Sequence, residues 1–435
     1  MRKNNMEKVI IIGGGPAGMM ASIRYAERGF DVTLLEKNEK LGKKLFITGK
    51  GRCNLTNDCS EETFFENVMS NPKFLFSAYH ALSAQDTMAL FGKWGLALKV
   101  ERGNRVFPVS DHSYDVTDTL KKRMKALGVK VFLNTRVDDI VCKKKPDEQN
   151  ADNQEKAAVK SASSRKPTSY VTGVKAGHRF FEADRVLIAT GGLSYPVTGS
   201  TGDGLKWAGR TGHRVTDCLP SLVAMNASDY DVATLSGLSL KNVTFSISRK
   251  KKLLFSGFGE MMFTHFGITG PLVLTASAAV GSVLKKEELT GYIDLKPRVD
   301  ESRLDADLLR LFEDNANKNV SHAIRSLYPL SIVPVILDRG DIPADKKVHD
   351  ITKAERIRIR EVTKKFAVHL TGLRGFEEAI VTRGGVSVRD VDPATMESKK
   401  VEGLYFAGEV LDLDALTGGF NLQVAWSTAY AAANA

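Results

Sequence analysis

The chain of 435 residues contains no apolar run near the about 18–20 residues that a membrane-spanning helix needs. Its four cysteines, Cys53, Cys59, Cys142 and Cys218, are scattered, with no C-x-x-C pair and no metal-ligand spacing. Reduced thiols are therefore expected, and no metal site. The first β-rich run begins within ten residues of Met1 and leaves no room for a signal peptide, so a cytoplasmic protein is expected. Charge of one sign is short as well: 51 acidic residues face 62 basic ones, a net of +11. Such a balance serves solubility in many enzymes and phosphate contacts in others. At 43% hydrophobic and 26% charged the composition is that of an ordinary globular protein, long enough for two or three domains.

What is present starts at Val9-Ile10-Ile11-Ile12, four apolar β-branched residues that read as a strand buried on both faces of a parallel sheet. Gly13, Gly15 and Gly18 follow at G-x-G-x-x-G spacing, with Pro16 and Ala17 opening a helix that runs to about Arg28 and stops at Gly29. The first glycine permits the tight turn, the second lets backbone approach a pyrophosphate, and the third lets helix pack on strand. A second strand, Asp31 to Leu35, ends in Glu36, placed to accept hydrogen bonds from ribose hydroxyls. Strand, glycines, helix, strand and acid in this order predict a dinucleotide site.

The stretch from Leu41 to Asn57 then packs glycines, cations and short polar side chains into one loop. Gly49 and Gly51 permit unusual backbone, and Lys50 and Arg52 supply charge suited to a diphosphate or an electron-rich ring. Helical spacing runs from about Asn71 to Trp94 and from Tyr114 to Ala126. Strands are expected at 97–101, 105–108 and 128–134, with 137–141 continuing the sheet edge. The polar, aperiodic stretch from Lys143 to Ser169 reads as a disordered hairpin tip or insertion. Asp184 to Gly192 is a buried strand running into a glycine turn that is not a second fingerprint. Thr198-Gly199-Ser200-Thr201-Gly202-Asp203-Gly204 then opens another helix.

From about Val215 to Leu295 short β-rich runs replace the helical period, predicting an inserted barrel or sandwich. Within it His265 stands on a Gly-bounded loop, Thr264 to Pro271, as a candidate acid. A basic run, Arg249-Lys250-Lys251-Lys252, is either a solvated hairpin tip or a phosphate-contacting patch. Amphipathic helices punctuated by prolines fill about 301–370. Strands return at 379–386 and 403–409, the last ending in Glu409, and Thr417-Gly418-Gly419-Phe420-Asn421-Leu422 opens the final helix. The expected architecture is an α/β, Rossmann-like dinucleotide-binding fold with an inserted β-barrel and a small helical subdomain. The expected boundaries are 1–210, 211–298, 299–370 and 371–435.

Three segments together, the N-terminal fingerprint, Ala189-Thr190-Gly191-Gly192 and Phe406-Ala407-Gly408-Glu409, resemble the two-dinucleotide-binding-domain flavoproteins. Gly49 to Asn57, Thr264 to Pro271, Thr382-Arg383-Gly384-Gly385-Val386 and Thr417 to Gln423 look more narrowly like the BaiN/YhiN flavoprotein family, over nearly the whole chain. Arg383 departs from the pattern, which has a small residue there, and the insertion at about 144–168 is extra. The resemblance implies FAD as cofactor, in an α/β, discontinuous Rossmann-like FAD-binding domain built from both chain ends, with the β-barrel and the small helical subdomain inserted between. Reactions credited to such proteins include C=C reduction on bile-acid intermediates, reduction of a ribosomal RNA uridine, and aminoacetone oxidation.

Expected cofactor contacts are Gly13, Gly15, Pro16, Ala17, Gly18, Glu36, Lys37, Lys44, Gly49, Gly51, Arg52, Cys53 and Asn54. Further along they are Val137, Thr190, Gly191, Gly192, Gly408, Glu409, Gly418, Gly419, Phe420, Asn421 and Leu422. The candidate catalytic residues are His265, Arg52, Cys53 and Lys50. With one complete fingerprint, taken by FAD, NAD(P)H would dock transiently as electron donor. The expected reaction is hydride transfer to an electron-poor C=C of a small enoyl compound or of structured RNA. The alternatives are a peroxide-forming amine or aminoketone oxidase, or a non-catalytic flavin-stabilised RNA-binding factor.

Overall fold

A computed structural model describes residues 6–145, 167–250 and 252–435, and Lys50 by its backbone alone. The chain divides into Met1–Leu219 with Ile380–Ala435, and Pro220–Ala379. In the first unit, β1 (Lys8–Ile12), β2 (Asp31–Leu35), β3 (Lys130–Phe132), β4 (Arg185–Ile188) and β5 (Leu404–Phe406) form one parallel sheet in the order β5-β4-β1-β2-β3. Four of β1's five residues are buried, as expected of a central strand covered on both faces. α1 (Pro16–Glu27) and the last helix, here α3 (Phe420–Asn434), pack together, and the Tyr25 hydroxyl donates to the Ala432 carbonyl at 2.8 Å. Between them in sequence lies α2 (Asp203–Arg210). Trp426 of α3 is fully buried and its indole N–H donates to the Leu55 carbonyl at 2.9 Å, so both chain ends share one core.

The second unit is a closed antiparallel barrel of six strands: Met225–Ala227, Ser239–Arg249, Lys252–Thr264, Gly267–Thr269, Leu289–Asp294 and Phe366–Leu373. Closure leaves no exposed edge. The helices of 301–364 are an excursion between the fifth and sixth strands. Leu304, Leu308, Ile336 and Ile359 belong to the same buried cluster as Phe245, Phe263 and Val368 of the barrel. The unit boundaries fall after Leu219 and Ala379, later in both cases than the expected 210 and 370.

Three local expectations are corrected. The helical stretch 71–94 breaks into Phe76–Ala81 and Ala84–Lys93, because Ser83 and Asp86 form a reciprocal capping box that starts a new helix. Asp139–Lys144 does not extend the main sheet; it pairs antiparallel with Ser169–Ala176 in a separate one. Lys143 and Lys144 are thereby ordered in a strand, while 146–166 of the expected insertion lie outside the described residues.

Beside β5 the His213 ring is buried, with Nε2 2.7 Å from Ser398 Oγ, Nδ1 3.0 Å from Thr211 Oγ1, and its plane edge-on to Phe406. Burial pushes its pKa down from 6.5 to about 4, against the pull of the Ala208 carbonyl and Asp390. The unfolded chain therefore takes up a proton near pH 6.5 that the folded chain refuses until about 4, so stability is lost as pH falls through that window. Thermal unfolding should show a loss approaching about 3 kcal/mol at the acid end, at about 1.4 kcal/mol per pKa unit. His213→Asn should flatten that dependence; an unchanged slope in the variant would remove His213 as its cause.

Candidate cofactor site

The strand ends converge on one cavity in the first unit. The Gly13 amide donates to Leu35 O at 2.9 Å, Ala189 N to Ile12 O at 2.9 Å, Ala407 N to Ile188 O at 3.1 Å, and Glu36 N to Phe132 O at 2.9 Å. The cavity lies outside the carboxyl ends of a parallel sheet, where such folds bind ligands. Gly13 has φ +107°, and a Cβ there would lie 2.5 Å from Ala189 O; at Gly18 it would lie 1.9 Å from Gly13 O. These two glycines permit close packing of backbone on backbone. At Gly15 a Cβ would meet nothing within 4 Å, because that residue faces the cavity. α1 begins there with Pro16 in its first turn and no side-chain cap, which leaves its N-terminal amides for an anionic ligand.

Glu36 is 7% exposed. Its Oε2 accepts from Gly14 N at 2.6 Å, and its Oε1 accepts from Asn38 N at 2.8 Å and Asn38 Nδ2 at 2.7 Å. The carboxylate thus braces the glycine turn and keeps further lone pairs for a ligand's hydroxyls. Pro16, Ala17, Lys37, Lys44, Val137, Thr190, Gly191, Gly408, Glu409, Asn421 and Leu422 also line the cavity. Lys44 Nζ donates to Ser194 Oγ at 2.5 Å and to Glu409 Oε2 at 2.7 Å, while Glu409 Oε1 accepts from Ser194 Oγ at 2.5 Å and Thr382 N at 2.9 Å. Asn421 closes the preceding loop, accepting from Ala415 N at 2.9 Å and donating to Ala415 O at 2.7 Å. Thr190 Oγ1 is buried with no hydrogen-bond partner, turned towards Gly204 at the start of α2.

Several expected contacts lie elsewhere. Arg52 donates to Asp111 and Glu101 beside Lys99, with its guanidinium 4.2 Å over the Phe107 ring. Those neighbours neutralise the charge that had pointed to a diphosphate. Cys53 is completely buried, and burial pushes its thiol up to about 12, so it is neither a ready thiolate nor part of the cavity lining. Gly49, Gly51 and Asn54 belong to the same loop and stand back from the cavity, with Gly49 packed against Phe107 and Asn54. Gly192 is hemmed in by Thr382 and Glu409, and Gly419 by Thr56; Asn57 Nδ2 donates to Gly418 O at 2.9 Å, and Phe420 packs on Phe64. The Lys50 side chain lies outside what the structure describes. His265 is an exposed residue of the second unit, between the third and fourth barrel strands, edge-on to Phe266.

Sequence reasoning missed Asn38, Lys43, Thr135, Arg136 and the segment Thr198–Ser200 with Asp203, all of which line the cavity. The Thr198–Gly204 run was visible as a helix-opening turn, but no fingerprint spacing ties it to a nucleotide.

A parallel sheet with this turn, this acid and this cavity defines a Rossmann-type dinucleotide-binding flavoprotein. A family model described as "HI0933-like protein Rossmann domain" matches residues 7–435, and the chain belongs to that family of FAD-dependent oxidoreductases. It is 28% identical over 437 residues to a 3-dehydro-bile acid delta(4,6)-reductase of Clostridium scindens, covering 99% of each chain. It is 29% identical to a ribosomal RNA dihydrouridine synthase of Haemophilus influenzae, covering 98% of this chain and 97% of the other. Among solved structures, a 3-ketosteroid delta1-dehydrogenase of Sterolibacterium denitrificans superposes with TM-score 0.51 at 12% identity over 99% of each chain, a likeness of fold. The residues present fit FAD: Gly15 opens onto space, α1 offers uncapped amides, and Glu36 retains acceptor capacity.

Glu36→Ala removes charge-assisted hydrogen bonds together with the brace on Gly14, and should weaken FAD binding by about 2–4 kcal/mol. Equilibrium dialysis followed by visible absorbance measures this; a variant as yellow as the parent counts against Glu36. Arg52→Met should leave the flavin-to-protein ratio unchanged, since its partners are Glu101, Asp111 and Phe107 rather than the cavity. Loss of flavin from that variant in otherwise folded protein would return Arg52 to the site.

Proposed function

We propose that the protein is an NAD(P)H-driven, FAD-dependent reductase that delivers hydride to a carbon–carbon double bond conjugated with a carbonyl group. One observation carries the reading: the two named relatives match over nearly their whole length and share that chemistry. A delta(4,6) double-bond system beside a 3-oxo group and the C5=C6 bond of uracil are both conjugated with a carbonyl, and both products are saturated at carbon.

FAD bound in this cavity and reduced by NAD(P)H would supply the hydride from the flavin, and NAD(P)+ would leave. The chain's own residues hold and orient the FAD: Glu36 at the ribose of the adenosine half, the α1 amides at the pyrophosphate, and the Lys44–Ser194–Glu409 triangle along the cavity wall. Thiol relays are disfavoured, because burial raises Cys53 to about 12 and Cys218 to about 11. His265, an exposed residue of the second unit, is the candidate proton donor on the chemistry of its imidazole. His265→Asn should lower turnover with FAD content unchanged; equal turnover would pass that role to water.

Stopped-flow mixing under anaerobic conditions tests the whole reading. NADH or NADPH should bleach the flavin, and a conjugated enone or structured RNA should restore its colour, with a saturated C–C bond seen by mass spectrometry. Reoxidation by oxygen alone, with peroxide formed from an aminoketone, favours an oxidase; bleaching by neither nucleotide favours a binding factor. RNA is kept as a substrate class by the cations on the hairpin that links the second and third barrel strands, with Lys250 (φ +53°) in the turn and Lys252 opening the next strand. Lys251 lies outside the described residues, and Arg249 is already paired with Glu287. Replacing Lys250 and Lys252 by Ser should flatten the salt dependence of RNA binding by about one unit of slope for each phosphate no longer neutralised. No affinity at about 50 mM salt leaves the small enone as the substrate class.

A further inference from the structure

The segment from Ser194 to Asp203 forms part of the cavity wall through Thr198, Gly199, Ser200 and Asp203. Its first end is fixed. The Leu193 and Ser194 amides donate to the buried Thr382 hydroxyl at 2.7 and 3.0 Å, and Ser194 Oγ joins the Lys44–Glu409 pair. Its middle is a tight turn, Pro196–Thr198, that carries Val197 out into solvent at 82% exposure. Three left-handed residues, Tyr195 (φ +50°), Gly199 (+108°) and Gly202 (+76°), bend it.

Its far side is held by the two residues that directly follow the ribose-placed acid. Lys37 Nζ donates to Thr201 Oγ1 at 2.6 Å and to Asp203 Oδ2 at 2.8 Å, and Thr201 Oγ1 donates to the same carboxylate oxygen at 3.0 Å. Asn38 Nδ2 donates to Thr198 O at 3.1 Å while also donating to Glu36. At Gly199 a Cβ would lie 2.5 Å from Asn38 Nδ2, so glycine is what lets the segment settle onto that amide. Lys37 and Asp203 side chains are 26% and 10% exposed, so water screens this pair only in part. Lys37 also lines the cavity, so its ammonium ties the segment to the cavity wall.

We propose that Ser194–Asp203 is a strap over the adenosine half of the cofactor cavity and that Lys37 is its latch, a positioning residue that controls how long FAD stays bound. The inference rests on FAD occupying this cavity with its adenosine ribose at Glu36. A latch across the adenosine half retains FAD but has no purchase on FMN, which lacks that half.

The test measures flavin release, not activity. Full-length protein loaded with FAD is diluted, and the rise of free-FAD fluorescence is followed at low and high salt; FMN-loaded protein is treated alike. Lys37→Met should release FAD about tenfold faster, as expected for loss of a charge-assisted pair. Release from the parent should quicken with salt while release from the variant does not. Lys37→Arg, which keeps charge and donors, should restore slow release, and FMN release should be the same in all three. Gly199→Ala, which drives a methyl group into Asn38, should also speed FAD release with the ion pair intact. Unchanged FAD release in both Lys37→Met and Gly199→Ala overturns the strap, as does equal acceleration of FAD and FMN, which marks general loosening. If the parent protein takes up no FAD at all, the flavoprotein reading itself fails, and that result is distinct from every other.

Discussion

The grip of one buried carboxylate on a backbone amide organises this site. Glu36 ends β2 and Gly14 follows β1, and the 2.6 Å bond between them fixes the turn whose open face receives the ligand. The geometry depends on missing side chains: Gly13 lies so close to Ala189 that a Cβ would meet its carbonyl oxygen at 2.5 Å. The strand ends of β1, β2 and β4 are thereby drawn to one point. A carboxylate 7% exposed is tolerable there because three N–H donors satisfy it without a cation.

The same point is reached by chain segments far apart in sequence. Lys44 comes from the loop after β2, Ser194 from the turn after β4, and Thr382 and Glu409 from the returning C-terminal part, yet they share one set of hydrogen bonds. These partly buried hydrogen bonds join the loop after β2 to the C-terminal return, so the cofactor site and the folding of the discontinuous unit share contacts. The second unit has its own buried cluster, with Phe245, Phe263 and Phe366 at its centre, and a closed barrel that needs no neighbour to cover an edge.

A cofactor site built from main-chain amides and one acid leaves the substrate unspecified. The fold and cavity define how FAD is held, whereas a steroid-like enone and a uracil ring differ in everything except the polarised double bond. Proteins that resemble this chain over nearly its full length carry names for both. Shared architecture accounts for a shared cofactor site, and function is settled by the surfaces around it.

The features legible in the sequence were those encoded by short-range spacing. Buried strand, glycine turn, helix and acid all fall within Val9 to Glu36, and backbone sterics dictate such a unit before any distant contact forms. The β-rich middle of the chain was equally plain from its period, although its last strand, Phe366–Leu373, was hidden behind the helices. Partner choice was decided only by the tertiary structure. Arg52 looked like a cation awaiting a phosphate until folding brought Glu101 and Asp111 to it from 49 and 59 residues away. Lys37 lines the cavity as expected, but its bond to Thr201, 164 residues on, was set only by folding. Local sequence sets which backbone shapes are allowed; which opposite charge or orphan donor a side chain meets is a long-range outcome of packing, and no spacing rule records it.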